Sequence, residues 1–227
     1  MRHAAIAFLL FAAIHANATI FVNQIPPQGG GTGRWSKLWV DPTGQNDYDS
    51  DAICYEDFVL AQQSTIDHIE WWGDANPGLG FKIEFWRQDP GTVAYQPLAV
   101  FRNSGAQPEA AFTSLDYTHN SDLGRTHYNL DLAQGVTLNA NDAANPRWFI
   151  AIYALDPSAP LLWNWYQGLG GSTRTFQWIR ADGNNFHVLG EGRGLVLGGQ
   201  VVPEPAGLLA LAAGVAMFLR KRGKTAG

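Results

Sequence analysis

Phe81-Lys82-Ile83-Glu84-Phe85-Trp86 is the stretch that decides the fold class. On an extended chain, successive side chains point to opposite sides. Phe81, Ile83 and Phe85 then share one side, and Lys82, Glu84 and Trp86 the other. That is a strand with one face on a core. Asn76-Pro77-Gly78-Leu79-Gly80 precedes it and carries turn chemistry. The segment before the turn, 66–72, is also apolar and aromatic, so a hairpin of 66–72 with 81–86 is expected.

Working outward, no segment of the body shows a long 3.6-residue periodicity. Gly and Pro interrupt short apolar-aromatic runs at frequent intervals, which is the pattern of an all-β sandwich or barrel. Residues 148–155 are apolar on both faces, as a central strand requires, and Asp156-Pro157-Ser158-Ala159-Pro160 ends the run. Further strands are expected at 58–60, 99–102, 128–132, 136–138, 161–166, 173–180, 186–189 and 195–197. Roughly ten strands suffice for two packed sheets. The expectation is a single, jelly-roll-like β-sandwich over 35–200, without internal repeats. Gly29-Gly30-Gly31-Thr32-Gly33 lacks the Gly-Lys-Ser/Thr ending of a phosphate loop, so 19–34 reads as a flexible N-terminal segment.

Composition narrows the class. The chain has 227 residues, 46% hydrophobic and 15% charged, with 25 Gly, 12 Pro, nine Trp and one Cys. A globular domain averages about 25% charged residues. The glycine, proline and aromatic content excludes a coiled coil and a disordered acidic chain. Cys54 has no partner, so a disulfide scaffold is excluded too.

Both ends read as targeting segments. Arg2, the apolar run 4–14 and Ala16-Asn17-Ala18 form the charge, core and small-residue site of a secretory signal over 1–18, cleaved after Ala18. At the other end, over 201–227, Val201-Val202-Pro203-Glu204-Pro205 leads into the apolar run 206–219, followed by Arg220-Lys221-Arg222 and Lys224. Fourteen apolar residues are short of the roughly 20 that span a bilayer. Flanking Val201 and Val202 and snorkelling basic side chains extend the reach. The basic cluster belongs on the cytoplasmic side, which puts the body outside, where the signal peptide also sends it. Without the two ends, ten basic and nineteen acidic residues remain between 19 and 202, a net charge of −9. Such a body repels phosphate backbones, so no nucleic-acid partner is expected.

Pro203-Glu204-Pro205, the short apolar helix and Arg220-Lys221-Arg222 resemble the PEP-CTERM sorting signal. The resemblance implies a Gram-negative bacterial protein, exported across the inner membrane and held transiently by the C-terminal helix. An exosortase-type enzyme would process it near Pro203–Pro205. The mature protein would then reside at the cell surface or in the matrix of exopolysaccharide, biofilm or floc. A looser resemblance covers the body. Asp51-Ala52, Glu56-Asp57-Phe58-Val59-Leu60, Ile69-Glu70-Trp71-Trp72-Gly73 and Phe81–Phe85 are similar to secreted bacterial β-sandwich domains of unknown function. Trp148-Phe149-Ile150-Ala151-Ile152 and Trp163-Asn164-Trp165 fall where those domains carry an aromatic strand pair. Glu56 departs from their commoner Asp. This resemblance implies a fold and no chemistry.

Three constellations could carry chemistry. Asp47, Asp49 and Asp51 alternate in an acidic stretch and could offer oxygens to Ca2+, although Ala52 and Phe58 break the EF-hand pattern. The bland reading is a solvated loop; no other cofactor is expected. Trp86 with Glu84, and Trp163, Trp165 and Tyr166, could stack sugar rings and bond hydroxyls. Aromatics are also core material, and Trp86 is the best platform because its strand mates take the core side. Glu70 and Glu84, on strands expected to be neighbours, could form a glycosidase carboxylate pair. The expectation is a non-enzymatic matrix protein that binds exopolysaccharide through exposed aromatics; a small glycan-processing enzyme is the alternative, and a ligand-free structural subunit is a third reading. His68, His119, His127 and His187 show no metal-ligand spacing. No nucleophile elbow is present, and Cys54 reads as a buried thiol.

Overall fold

The computed structural model describes residues 18–40, 51–75, 77–88, 107–156, 162–183 and 185–203. These form fourteen strands and no helix. The strands are β1 (Thr19–Gln24), β2 (Gly33–Trp35), β3 (Lys37–Trp39), β4 (Ala52–Phe58), β5 (Ser64–Gly73), β6 (Phe81–Arg87) and β7 (Ala110–Ser114). They continue as β8 (Thr118–Asp122), β9 (Arg125–Leu138), β10 (Trp148–Asp156), β11 (Asn164–Tyr166), β12 (Phe176–Ile179), β13 (Asn185–Val188) and β14 (Leu195–Val201).

Two seven-stranded sheets result. In the first, β1, β14, β5, β11 and β2 follow in hydrogen-bonded order; β9 pairs the other edge of β5 and carries β8. The second runs β13-β12-β4-β3-β10-β6-β7. Pairing is antiparallel except between β10 and β3. The three residues of β3 fill the gap where β4 and β10 part: β10 pairs β4 up to Ala151 and β3 from Ala154.

The 81–86 alternation is realised as read. Phe81, Ile83 and Phe85 enter an apolar layer with Ile66, Ile69, Trp71, Tyr128, Leu130, Leu195 and Leu197 of the first sheet and Trp148, Ile150 and Ile152 of the second. Trp71 meets Phe81 edge-on, ring centroids 5.1 Å apart. β10 is central, as its two apolar faces predict. Its other face, Phe149, Ala151 and Tyr153, joins Trp86, Tyr55, Ile53, Phe176 and Trp178 in a second apolar cluster on the outer side of the second sheet.

The expected hairpin of 66–72 with 81–86 does not form. β5 pairs β9, β14 and β11, whereas β6 pairs β10 and β7. The turn at 77–80 reverses the chain but carries it from one sheet to the other. Residues 128–132 and 136–138 form one long strand, β9, whose register against β5 shifts between Ile66 and His68. The 99–102 strand lies outside the described residues.

The segment 19–34 is ordered, contrary to expectation. Thr19–Gln24 pairs β14, from Thr19 opposite Gly199 to Gln24 opposite Leu195. The glycines that follow make a packed loop. Gly29, Gly30 and Gly31 have φ of 84°, 83° and 64°, where residues with a Cβ are strained. The Thr32 carbonyl accepts from Gln167 N at 2.9 Å and from Arg193 Nη1 at 3.2 Å. At the other end the sheet runs to Val201, and Val202 N donates to Gln63 O at 2.8 Å. The described strands therefore run from Thr19 to Val201, beyond both ends of 35–200.

Candidate functional site

The outer face of the first sheet collects the polar side chains of β5 and β9. Ile69 and Trp71 point into the core, so His68, Glu70 and Trp72 point out. Directly opposed residues of an antiparallel pair share a face. Trp72 stands opposite His127, Glu70 opposite Asn129 and His68 opposite Asp131. One strand further, Asn120 stands opposite His127 and Thr118 opposite Asn129.

These rows are hydrogen-bonded into a chain. His68 Nδ1 lies 2.6 Å from Asp131 Oδ1, and His68 Nε2 lies 2.8 Å from Glu70 Oε1. Both ring nitrogens of His68 therefore face carboxylate oxygens, an arrangement that the imidazolium form, with two N–H donors, satisfies. Burial works against that charge, but the hydrogen bonds and charges of Glu70 and Asp131 outweigh it and raise the His68 pKa. Glu70 Oε2 takes a second histidine, His127 Nε2, at 2.7 Å. The His127 ring stacks on Trp72 with centroids 4.3 Å apart and planes 3° off parallel. Trp72 Nε1 donates to Asp122 Oδ2 at 3.0 Å. Beside this stack, Thr118, His119, Asn120, His127 and Asn129 line a concavity of about 170 Å3.

The residues singled out from sequence fall elsewhere. Trp86 is on the outer side of its sheet, as the alternation requires, but it is only 6% exposed, covered within the second apolar cluster. Its Nε1 donates to Glu84 Oε2 at 3.0 Å, and Tyr153 OH donates to Glu84 Oε1 at 2.8 Å. Trp163 and Trp165 do share a face, and that face is the core, at 4% and 0% exposure. None of the three presents an open ring to a sugar. Tyr166 is half-buried; its OH donates to Asp74 Oδ1 at 2.8 Å and Arg125 covers its ring at 3.9 Å. The tryptophan that is exposed is Trp35, at 46%, on edge strand β2.

Glu70 and Glu84 lie on the outer faces of different sheets, with the shared apolar layer between them, and form no carboxylate pair. Asp47, Asp49, Ala16, Glu204, Pro205, Arg220, Lys221 and Arg222 lie outside the described residues, while Ala18 and Pro203 are described and lie outside the strands. Asp51 is buried, and its Oδ1 accepts from Trp39 N at 2.8 Å. Among the described residues no group of three or more His, Cys, Asp or Glu is placed to hold a metal ion. Cys54 is buried; burial pushes its thiol up to about 12, and Sγ donates to Trp35 O at 3.3 Å.

Sequence reasoning missed a second polar centre, inside the core. Glu56 and Arg193 are both fully buried. Glu56 Oε2 accepts from Thr175 Oγ1 at 2.6 Å and from Arg193 N at 2.7 Å. Burial dominates and pushes Glu56 up to about 8. Arg193 Nη1 donates to Trp165 O at 3.0 Å, and its Nη2 pairs with Glu191. This centre ties the loop before β14 to β4 and β11.

Comparison with protein-family models, with curated proteins and with solved structures returns no match for this chain.

Proposed function

We propose that the chain is an exported surface or matrix protein. Its body is a single β-sandwich of jelly-roll-like build. The signal at 1–18 delivers it, the apolar run at 206–219 holds it, and an exosortase-type enzyme trims it near Pro203–Pro205. It is non-enzymatic, and its body is free to bind exopolysaccharide.

One observation carries the reading. The two expected processing points flank the first and last described strands. β1 begins at Thr19, directly after Ala18, and β14 ends at Val201, two residues before Pro203. Processing at both points leaves every described strand intact. The Thr19–Gly199 pairing also sets the two ends side by side on one edge of the first sheet. The acidic surface, net −9 between 19 and 202, favours a hydrated polymer over nucleic acid.

Deletion of 203–227 in the native host tests this. The body should leave the cell surface and accumulate in the medium. Unchanged localisation overturns the sorting reading.

A further inference from the structure

The concavity beside His127 has a chemistry of its own. Thr118, Asn120, His127 and Asn129 all stand on the outer face of β8 and β9, in two adjacent cross-strand rows. With His119, which also lines the groove, they supply one hydroxyl, two carboxamides and two imidazoles. Carboxamides and hydroxyls both donate and accept, which suits a ligand whose groups do the same. None of the residues lining the groove is a carboxylate, lysine or arginine. His127 forms a fixed wall. One ring face rests on Trp72, and Nε2 is pinned by Glu70. His127 stands between Trp72 and Asn120 in the cross-strand row and lines the groove with 17% of its side chain exposed.

We propose that this groove binds one sugar residue of a neutral polysaccharide. The His127 ring packs against the C–H face of the sugar, and Thr118, Asn120 and Asn129 take its hydroxyls. The proposal rests on the polysaccharide half of the function proposed above and names its site. Size points to a single residue: about 170 Å3 is well below the roughly 300–1,000 Å3 of pockets for drug-sized ligands. A site this small gains affinity by repeated engagement along a chain, so a polymer is favoured over free monosaccharide. Charge points to a neutral chain. Asp131, on the same face of β9, has 84% of its side chain exposed, and an acidic polymer meets repulsion from it and from a body of net charge −9 between 19 and 202.

The test uses the purified full chain with dextran, galactomannan and polygalacturonate as probes, read by affinity electrophoresis and titration calorimetry. A neutral polymer should bind, and polygalacturonate should not. Asn120→Ala and His127→Ala should each weaken binding by about tenfold or more, the scale of a central contact. Asn120 is exposed on an edge strand, so its variant reports binding even if His127→Ala lowers stability. Trp35→Ala should leave binding unchanged. Binding that survives Asn120→Ala and His127→Ala but fails in Trp35→Ala overturns the groove and keeps the polysaccharide reading. A preference for polygalacturonate overturns the neutral-ligand claim. No binding to any of the three polymers overturns both the groove and the polysaccharide reading, while the deletion of 203–227 still judges sorting independently.

Discussion

Thr19 stands opposite Gly199, so the first and last strands of the body are neighbours. The register of β14 against β5 shifts between Gly198 and Gly199. At that shift the backbones crowd: a Cβ on Gly199 would lie 1.9 Å from the carbonyl oxygen of Thr65. Gly199→Ala must therefore push β14 off β5. Overpacking of this kind costs about 1–3 kcal/mol. For a body of this size each kcal/mol lowers the melting temperature by roughly 2–4 °C. A thermal melt of the variant should show a fall of several degrees, and an unchanged melt would mean that the strands are not packed this closely.

Glu56 predicts a pH dependence of stability. Its folded pKa, about 8, lies above the ordinary 4.5. Between those values the folded state binds the proton and the unfolded state does not. Stability from this group is complete below about pH 4.5 and is lost as pH rises through 8. Glu56→Gln keeps an acceptor for Thr175 and Arg193 and removes the titration. Its melting temperature should decline less than the wild type's between those two pH values. Parallel declines would contradict the assignment.

His68 acts over a different window. Its pKa is raised above 6.5, so the imidazolium stabilises the fold below pH 6.5, and the contribution is lost as pH rises through the raised value. His68→Ala should lower the melting temperature chiefly at acid pH, and the two proteins should converge at alkaline pH. Nitrogen-15 NMR of the ring should show both nitrogens protonated at pH 6.5.

Tryptophan fluorescence checks the burial pattern. Trp35 is open, while Trp71, Trp72, Trp86, Trp148, Trp163, Trp165 and Trp178 are buried. Acrylamide should quench a minor fraction of the emission, and Trp35→Phe should remove much of that fraction. Trp86→Phe should leave quenching unchanged; a large drop in that variant would place Trp86 at the surface.

Period-two alternation suffices to read β6 from sequence, because it reports which side of a strand is buried, and the unbroken apolar run of 148–155 suffices for β10. Neither reports the partner. The Pro77-Gly78 turn gives a local reversal whether the next strand pairs with the last one or crosses to another sheet, so the turn alone does not make Glu70 and Glu84 neighbours. β4 hides two acidic residues, Glu56 and Asp57, among apolar ones, and its burial rests on Thr175, Arg193, Arg147 and Ser172 from distant strands and loops. The three-residue strands β2 and β3 and the polar edge strand β8 carry too little pattern to be read.

Trp86 teaches the same lesson. Its side of the strand was legible; the apolar layer over that side was not, although the two apolar faces of 148–155 were themselves its sign. The outer site left a trace as well. His68, Glu70 and Trp72 occupy alternate positions, as do His127, Asn129 and Asp131. Only the β5–β9 register brings the two series together.

The central claim is processing at both ends of one folded body, and intact-mass measurement of the protein isolated from its native host tests it most directly. The mature chain should begin at Thr19 and lack 206–227, with its C-terminus near Pro203–Pro205. A mass that retains Met1 or the segment 206–227 would contradict the account.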